Sequence, residues 1–170
     1  MMVPNGSFDA GPVIWTQFSS NGFPLIVNAN VGGYDYMLAR LGGANLETSS
    51  LTQRLTVPMQ SYRLVYSYWI QSAEPTTICF DRGDIFVNGE LVHTTCLYGN
   101  DTQWNTANID LSSWAGETIL LEIRATTNTI NISTWYVDSM GFTSLVYTPP
   151  LVSPEEVFPD PAGWSPTPDK

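Results

Sequence analysis

The apolar residues of this chain recur at every second position, a period that is typical of β-strands rather than helices. The first such segment, residues 62–70, places four apolar side chains on one side: Leu64, Tyr66, Tyr68 and Ile70. The second, residues 119–125, does the same with Ile119, Leu121, Ile123 and Ala125. No window of ten residues carries a convincing helical stripe. The chain is therefore expected to fold as β-structure throughout.

Turn residues separate the strand candidates. Asn88-Gly89 joins residues 85–87 to residues 90–92 in a two-residue hairpin, because Gly and Asn adopt the positive φ that such a turn requires. Many short strands at regular spacing predict an all-β fold, either a sandwich or a jelly roll. Further strand candidates are residues 12–18, 34–40, 50–57, 76–80, 106–111 and 134–143.

The C-terminal segment is rich in proline. Seven of the 12 prolines fall within the last 22 residues. Proline lacks a backbone N–H and is excluded from central strands and helix interiors, so this segment reads as an extended linker or as a strap on the domain. We place the jelly-roll domain at residues 1–147 and the Pro-rich linker or strap at residues 148–170.

The charge balance excludes some partners. Sixteen Asp and Glu against six Lys and Arg give a net charge of −10. Nucleic-acid affinity comes largely from cationic side chains that neutralise phosphates, so no nucleic-acid partner is expected. No apolar run approaches the roughly 18 residues of a membrane span, so no membrane insertion is expected.

Composition also bears on localisation. The start of the chain lacks the charged and apolar regions of a signal peptide. One Lys in 170 residues, with abundant Thr, Ser, Asn, Tyr and Trp, is typical of an exported bacterial domain. We expect an extracellular or cell-surface protein whose leader has been removed; a cytoplasmic protein is the alternative.

The sequence offers little for catalysis. It has one histidine, His93, and neither a G-x-S-x-G elbow nor a second histidine for a metal site. Cys96 lies three residues from His93, and side chains three apart on a strand point to opposite faces. We predict a non-enzyme. A glycan-active enzyme with paired carboxylates, such as Glu122 with Asp84 or Glu90, stays open as an alternative.

Strand alternation predicts a ligand face. Alternate residues of a strand share one face, so if Tyr68 points into the core, Trp69 and Gln71 point away from it. The same alternation places Phe86, Glu122 and Arg124 on the outer faces of their strands. An aromatic ring covers the C–H face of a sugar while polar groups bond its hydroxyls. These five residues therefore predict a shallow carbohydrate site.

Two other interpretations of these residues stay open. In the first, Trp69 belongs to a second small core beneath a loop or the Pro-rich tail, while Glu122 and Arg124 pair with their neighbours. In the second, the ligand patch is formed by aromatic residues at one edge of the sandwich, Tyr34, Tyr36, Tyr98 and Trp104.

Cys79 and Cys96 are the only two cysteines. Extending the hairpin outward from Asn88-Gly89 leaves them two residues out of register. One bulge in residues 81–84 would bring them opposite each other, within the roughly 4–7 Å Cα separation that a disulfide requires. We predict a disulfide, as expected in an exported protein, with two buried thiols as the alternative.

The order of several short motifs resembles that of the galactose-binding-like jelly-roll domains, which include carbohydrate-binding modules and MAM-like accessory domains of secreted bacterial proteins. The resemblance spans residues 5–143 and implies an all-β fold, a jelly-roll β-sandwich of two antiparallel sheets. This fold hosts many functions. The motifs that carry it are N-G-S-F-D (5–9), L-T-Q-R-L-T-V-P (51–58), D-L-S-S-W-A-G-E-T (110–118) and V-D-S (137–139).

The resemblance also implies a structural calcium ion. Domains of this kind often bind Ca²⁺ between the start of the first strand and an Asp at the end of the last, positions that match Asp9 and Asp138 here. Ser7 or Asn5 would add oxygen ligands, in keeping with the preference of Ca²⁺ for carboxylate and carbonyl oxygens. Ser139 departs from the pattern, because relatives commonly carry a second Asp there. The alternative is that both carboxylates only cap turns and bond backbone amides.

Together these features predict a non-catalytic binding module of a secreted bacterial protein, with carbohydrate as its ligand and calcium as a structural cofactor. The first alternative is a structural or protein-interaction domain of a protease or adhesin, partnered by a neighbouring domain of the same protein.

Overall fold

The structure, a computed structural model, describes residues 3–144 and consists of ten antiparallel strands and one 3-10 turn, Ser112–Trp114. The strands are β1 (Thr16–Ser19), β2 (Ile26–Val31), β3 (Tyr34–Gly42), β4 (Thr48–Thr56), β5 (Arg63–Ser72), β6 (Arg82–Val87), β7 (Glu90–Cys96), β8 (Asn105–Asp110), β9 (Thr118–Thr126) and β10 (Ser133–Thr143).

The strands form two five-stranded sheets. Sheet A has the order β2-β3-β10-β5-β8, and sheet B has the order β1-β4-β9-β6-β7. The predicted jelly-roll β-sandwich of two antiparallel sheets is confirmed. The predicted boundary near residue 147 and the Pro-rich segment 148–170 lie outside the described residues. Within residues 3–144 no helix is long and apolar enough to cross a membrane.

The main core lies between the two sheets. The alternating residues of β5 and β9 enter it as expected, since Leu64, Tyr66 and Ile123 are almost fully buried. Trp135 of β10 fills the centre with no exposed surface, and its ring lies against Gly83, where a larger residue would not fit. Full burial of a large apolar side chain stabilises the fold by roughly 1.5–3 kcal/mol, so this layer dominates the favourable free energy.

Two segments differ from the prediction. Residues 76–80 form a loop rather than a strand, and β2 occupies residues that the alternation did not single out. β2 is an edge strand with two Asn among its six residues, Ile-Val-Asn-Ala-Asn-Val, so its pattern is weak. Edge strands bury little surface, which lowers the contrast between their two faces.

The hairpin around Asn88-Gly89 has the expected turn, with φ of 51° and 81° at its two residues. Its bulge is not in residues 81–84. It lies in β7, where Phe86 pairs with Leu91 but Ile85 already pairs with His93. Cys96 therefore lies opposite Arg82. Cys79 reaches it from the 73–81 loop and forms a disulfide, with 5.0 Å between the Cα atoms.

Candidate functional site

The five predicted ligand residues lie on two opposite faces of the sandwich. Trp69 and Gln71 belong to β5 in sheet A, whereas Phe86, Glu122 and Arg124 belong to β6 and β9 in sheet B. The structure therefore does not bring the five together. The alternation correctly assigns each side chain to an outer face, but it carries no information about which sheet a strand joins.

Trp69 lies in a second, smaller core on the outer face of sheet A. Its side chain is 8% exposed and packs with Val31, Leu38 and Tyr136. Gly32, at the tip of the β2–β3 hairpin, covers the ring so closely that a Cβ there would lie 2.9 Å from it. The interpretation of Trp69 as part of a second core is the correct one, and Trp69 is not an exposed sugar platform.

The β2–β3 hairpin reaches Trp69 because only part of β3 is paired to β10. Residues Ala39–Gly42 of β3 pair with β10, whereas the earlier residues of β3 pair with β2 alone. The β10 strand is also irregular between Asp138 and Gly141, with Ser139 at φ 53°. The tip of the hairpin lies against Trp69 on the outer face of sheet A, where the small core forms.

Aromatic rings extend from this small core to the surface. Trp104 makes edge-on contacts with Trp69 at 5.8 Å and with Tyr36 at 5.4 Å between ring centroids. Trp104 and Tyr36 are half-buried, while Tyr34 is 72% exposed. The structure thus brings together Tyr36 and Trp104 of the alternative aromatic patch, with Tyr34 two residues away on the same strand.

A depression of about 310 Å³ opens beside the small core on sheet A. Cross-strand pairing places Tyr136 between Arg40 of β3 and Trp69 of β5, so the depression and the aromatic cluster share one wall. We call this depression the Arg40 pocket. Its lining residues are Phe23, Arg40, Gly42, Gly43, Thr134 and Tyr136.

Tyr136 connects the Arg40 pocket to Gln71. Burial raises the pKa of Tyr136, and the nearby positive charge of Arg40 opposes that shift, so the phenol keeps its proton at neutral pH. Its hydroxyl donates a hydrogen bond of 3.2 Å to Oε1 of Gln71. The Gln71 side chain is exposed, and its amide nitrogen makes no hydrogen bond within residues 3–144, so it is free to donate to a ligand.

Arg40 differs in its surroundings from the other half-buried arginines. Arg63 and Arg124 each lie within 4 Å of a carboxylate, at 3.6 Å and 2.9 Å respectively. Among residues 3–144, no carboxylate lies within ion-pair distance of Arg40. The Arg40 pocket therefore contains a partly desolvated cation that no carboxylate of residues 3–144 neutralises.

On sheet B, Phe86, Glu122 and Arg124 do lie together, but they satisfy one another. Arg124 donates two hydrogen bonds of 2.9 Å to Glu122, which also accepts a 2.7 Å bond from Ser50. The Arg124 guanidinium lies 4.3 Å from the Phe86 ring centroid. Since the ring is covered and the charges are paired, this group offers little to a sugar.

The comparisons with known proteins bear on the fold. No family model matches the sequence, and a search of curated proteins finds no relative. The fold is similar to the folds of several solved carbohydrate-binding modules and of an adhesin domain. It is similar to TmCBM61, solved with β-1,4-galactotriose, at a TM-score of 0.57 and 10% identity over 83% of this chain and 96% of that one.

Two further solved structures show the same likeness. The K1 cleaved adhesin domain of Lys-gingipain from Porphyromonas gingivalis W83 has a TM-score of 0.52 and 12% identity, over 82% of this chain and 96% of that one. CBM28, a carbohydrate-binding module specific for non-crystalline cellulose, has a TM-score of 0.51 and 12% identity, over 84% and 94%. At such identities the likeness establishes the architecture and not the ligand.

The residues expected to bind calcium lie where the N-terminal loop meets β10. Burial raises the pKa of Asp138 to about 6, and the negative charge of nearby Asp9 raises this pKa further. A 2.7 Å hydrogen bond from the Ser139 amide acts in the opposite direction and lowers the pKa. No basic side chain lies within ion-pair distance of Asp138 among residues 3–144. A desolvated carboxylate facing a second carboxylate fits a hard cation.

The Asn5 side chain organises the N-terminal loop. Its amide nitrogen donates to the carbonyls of Gly11 and Val13, and its oxygen accepts from the Ala10 amide. Ser7 is half-buried in the same loop. Residues 3–144 contain no group of three or more His, Cys, Asp and Glu side chains placed to hold a metal. Calcium ligands beyond Asp9 and Asp138 would therefore be hydroxyl, carbonyl or water oxygens.

The sequence interpretation missed most of the Arg40 pocket. Phe23 lies in the loop before β2. Thr134 and Tyr136 lie on the outer side of β10, whose inner side carries the buried Trp135 and Val137. The alternation of side chains along β10 was the signal that could have found them. Thr134 and Tyr136 lie on the face of β10 opposite Trp135, which is the outer face that also carries Trp69. Gly43 also lies beside Thr134, where a Cβ would be 3.7 Å from the threonine hydroxyl.

Proposed function

We propose that this protein is a non-catalytic carbohydrate-binding module whose site is the Arg40 pocket and the adjoining outer face of sheet A. The observation that carries the proposal is the combination, in one depression, of an exposed aromatic ring with unpaired hydrogen-bond donors. Phe23 is 40% exposed at the pocket. Within residues 3–144, the guanidinium of Arg40 in the pocket and the amide nitrogen of Gln71 beside it donate to no other group. This combination is the general form of a shallow sugar site.

In this proposal the residues have separate tasks. The Phe23 ring covers the apolar face of one sugar unit, and Arg40, Thr134 and Gln71 bond its hydroxyls. Trp104 and Tyr34, farther along the same face, contact neighbouring units of a longer chain. Because the site is an open depression, binding is expected to be weak for each module and to gain from tethering to other domains.

The similar solved structures support this proposal at the level of fold. TmCBM61 was solved with β-1,4-galactotriose, and CBM28 is specific for non-crystalline cellulose. Both are nearly spanned by the present chain, which is consistent with an independent module. The disulfide between Cys79 and Cys96 supports an exported protein, since such bonds persist in oxidising compartments.

A structural calcium ion between Asp9 and Asp138 is part of the proposal. The ion would neutralise the two carboxylates and tie the N-terminal loop to β10, using Ser7 and backbone oxygens as further ligands. It has no catalytic role.

A protein-interaction domain is the second candidate, and a specific surface favours it. The loops at the disulfide end of the sandwich expose several large apolar residues that have no role in the Arg40 pocket. Large exposed apolar patches often mark protein contacts. They are Ile78, Phe80, Tyr98, Ile130 and Ile132, with exposures of 48%, 52%, 38%, 63% and 52%.

The test is a glycan-array measurement on the full chain with two matched variants. Phe23→Ala removes the aromatic ring of the pocket, and Phe18→Ala removes a ring of similar exposure from β1 in sheet B. We expect Phe23→Ala to weaken glycan binding at least ten-fold and Phe18→Ala to leave it unchanged. Binding to no glycan would favour the interaction domain, and a loss with Phe18→Ala alone would move the site to sheet B.

A further inference from the structure

We infer that the Arg40 pocket recognises a carboxylate on its sugar, and so takes a hexuronate unit rather than a neutral one. This inference rests on the proposed function and specifies the substrate class of the same site. Its basis is the contrast between Arg40 and the other four arginines, together with the absence of any acceptor-rich side chain from the pocket lining.

The charge of Arg40 is unusual in this protein. Residues 3–144 contain 12 Asp and Glu and five Arg, yet none of these carboxylates lies within ion-pair distance of Arg40. Three other arginines have such a partner, and the fourth, Arg54, is exposed to solvent. A half-buried guanidinium without a partner carries a desolvation cost, which an anionic ligand would offset.

The other polar groups of the pocket favour the same ligand. The six lining residues include no Asp or Glu, so the side chains offer donors and hydroxyls but no strong acceptor. The Tyr136 hydroxyl already donates to Gln71, whose amide nitrogen adds a further donor at the rim. Each hydroxyl of a neutral sugar donates as well as accepts and so calls for an acceptor on the protein, whereas a carboxylate only accepts. The lining therefore matches the carboxylate better.

The geometry of the guanidinium adds specificity. Its planar fork can bond both oxygens of a carboxylate at once, which a lysine ammonium cannot do. The adjacent Gly42 and Gly43 have no side chains that would close this part of the pocket. The exposed Phe23 ring is then available to contact the pyranose that carries the carboxylate.

The net charge of −10 limits the kind of glycan. A uniformly charged polyuronate would be repelled by the molecule as a whole, because like charges lower the association rate and affinity at long range. The pocket therefore suits glycans in which uronate units are separated by neutral sugars.

The experiment measures calorimetric affinity of the full chain for matched pairs of oligosaccharides. One member of each pair ends in glucuronate or galacturonate linked to neutral sugars, and the other is the same oligosaccharide after reduction of the carboxyl to a primary alcohol. A sialylated oligosaccharide serves as a carboxylate from another sugar class. We expect at least ten-fold tighter binding of a hexuronate probe than of its reduced counterpart.

Variants test whether Arg40 is responsible. Arg40→Gln is expected to remove the preference for the acid, and Arg40→Lys to keep only part of it, because charge remains but the fork is lost. Arg54→Gln, an exposed arginine on sheet B, is the matched control and should behave as the parent protein. Thermal melts verify that each variant is folded. The comparison of each acid with its reduced counterpart uses the parent protein, so it tests the assignment even if a variant fails to fold.

The outcomes separate this inference from the proposed function. Equal affinity for both members of every pair, with binding lost in Phe23→Ala, would overturn the hexuronate assignment and leave the carbohydrate site in place. A preference for the sialylated probe alone would also overturn the assignment. A preference for the acid that persists in Arg40→Gln would show that Arg40 does not recognise the carboxylate, and would overturn the inference. If the protein binds none of the probes and none of the array glycans, both proposals are overturned.

Discussion

Individual buried polar residues contribute to this fold through their hydrogen bonds, and Glu47 is the most connected of them. Its side chain is fully buried, and its two oxygens accept five hydrogen bonds of 2.6–3.0 Å from Ser19, Ser20, Asn21 and Ser49. Burial acts to raise its pKa, but these hydrogen bonds outweigh burial and hold the pKa below its ordinary value. Glu47 thereby ties the end of β1 to the start of β4.

Stability is expected to depend on pH through Glu47. The pKa of Glu47 is lower in the folded than in the unfolded state. Glu47 therefore adds to the free energy of unfolding at pH values above its pKa in the unfolded chain. This contribution is lost as the pH falls through its pKa in the folded protein. Glu47→Gln should destabilise the protein by about 1–3 kcal/mol at pH 7, because hydroxyl donors then face an amide. Urea titrations between pH 7 and pH 3 provide the measurement. A loss of stability on acidification that is equally large in the variant would contradict this role.

At the scale of elements, the β2–β3 hairpin decides what the outer face of sheet A presents. Its tip covers Trp69, and its second strand supplies Tyr36 to the aromatic cluster and Arg40 to the pocket. The turn has Gly32 and Gly33 at φ of 61° and 92°, a conformation that residues with a Cβ rarely adopt.

The contact between the turn and Trp69 can be tested with two alanine substitutions. Gly32→Ala adds a Cβ 2.9 Å from the Trp69 ring, whereas Gly33→Ala adds one with nothing within 4 Å, so only the first combines backbone strain with a clash. Strain alone costs roughly 1–2 kcal/mol. We expect Gly32→Ala to be more destabilising than Gly33→Ala by at least about 1 kcal/mol, the usual cost of overpacking. We also expect acrylamide to quench Trp fluorescence more strongly in Gly32→Ala, because the displaced turn no longer covers Trp69. Equal melting temperatures and quenching in the two variants would show that the turn does not cover the ring.

The disulfide is a second contact between structural elements that stabilises the fold. Cys79–Cys96 closes a loop with a sequence separation of 17 and holds the 73–81 loop against β7. A cross-link of this length contributes about 3 kcal/mol, chiefly by restricting the unfolded chain. Reductant should lower the melting temperature of the parent protein, while the double variant Cys79→Ser/Cys96→Ser should melt low and be insensitive to reductant. A parent protein unaffected by full reduction would contradict the prediction.

For the whole molecule, closure of the N-terminal segment on the last strand completes the sandwich. Val3, Phe8 and Trp15 enter the main core, and the Met140 amide donates a 2.9 Å hydrogen bond to the Gly6 carbonyl. The proposed calcium ion would act at this junction, where Asp9 and Asp138 otherwise repel each other.

Calcium is therefore expected to stabilise the entire domain. At a concentration 100 times its dissociation constant, a bound ion would add about 2.7 kcal/mol. Thermal melts in calcium and in EDTA should differ for the parent protein and for the control Glu90→Gln, whose carboxylate is exposed in the β6–β7 hairpin. Asp138→Asn should lose the response to calcium, yet in EDTA it should be at least as stable as the parent, because the repulsion with Asp9 is removed. A parent protein indifferent to calcium would overturn the proposed ion.

What could be predicted from sequence was local in character. The alternation in β5 and β9 identified the strands, the core-facing residues Leu64 and Ile123, and the outward direction of Gln71 and Arg124, because each depends only on the period of an extended chain. The Asn88-Gly89 turn was equally local. The interpretation of Trp69 as a platform was wrong because its burial depends on Gly32, 37 positions earlier in the chain.

The amino-acid sequence by itself thus determined that the chain is a two-sheet sandwich and which side of each strand is apolar. Only the tertiary structure decided which outward residues share a face, that Phe86 and Arg124 lie opposite Trp69, and that Arg40, Tyr136 and Phe23 meet in one pocket. The physical reason is that side-chain alternation is a property of a single strand. The neighbours of a strand are instead chosen by pairings between residues far apart in sequence, such as Arg40 with Tyr136.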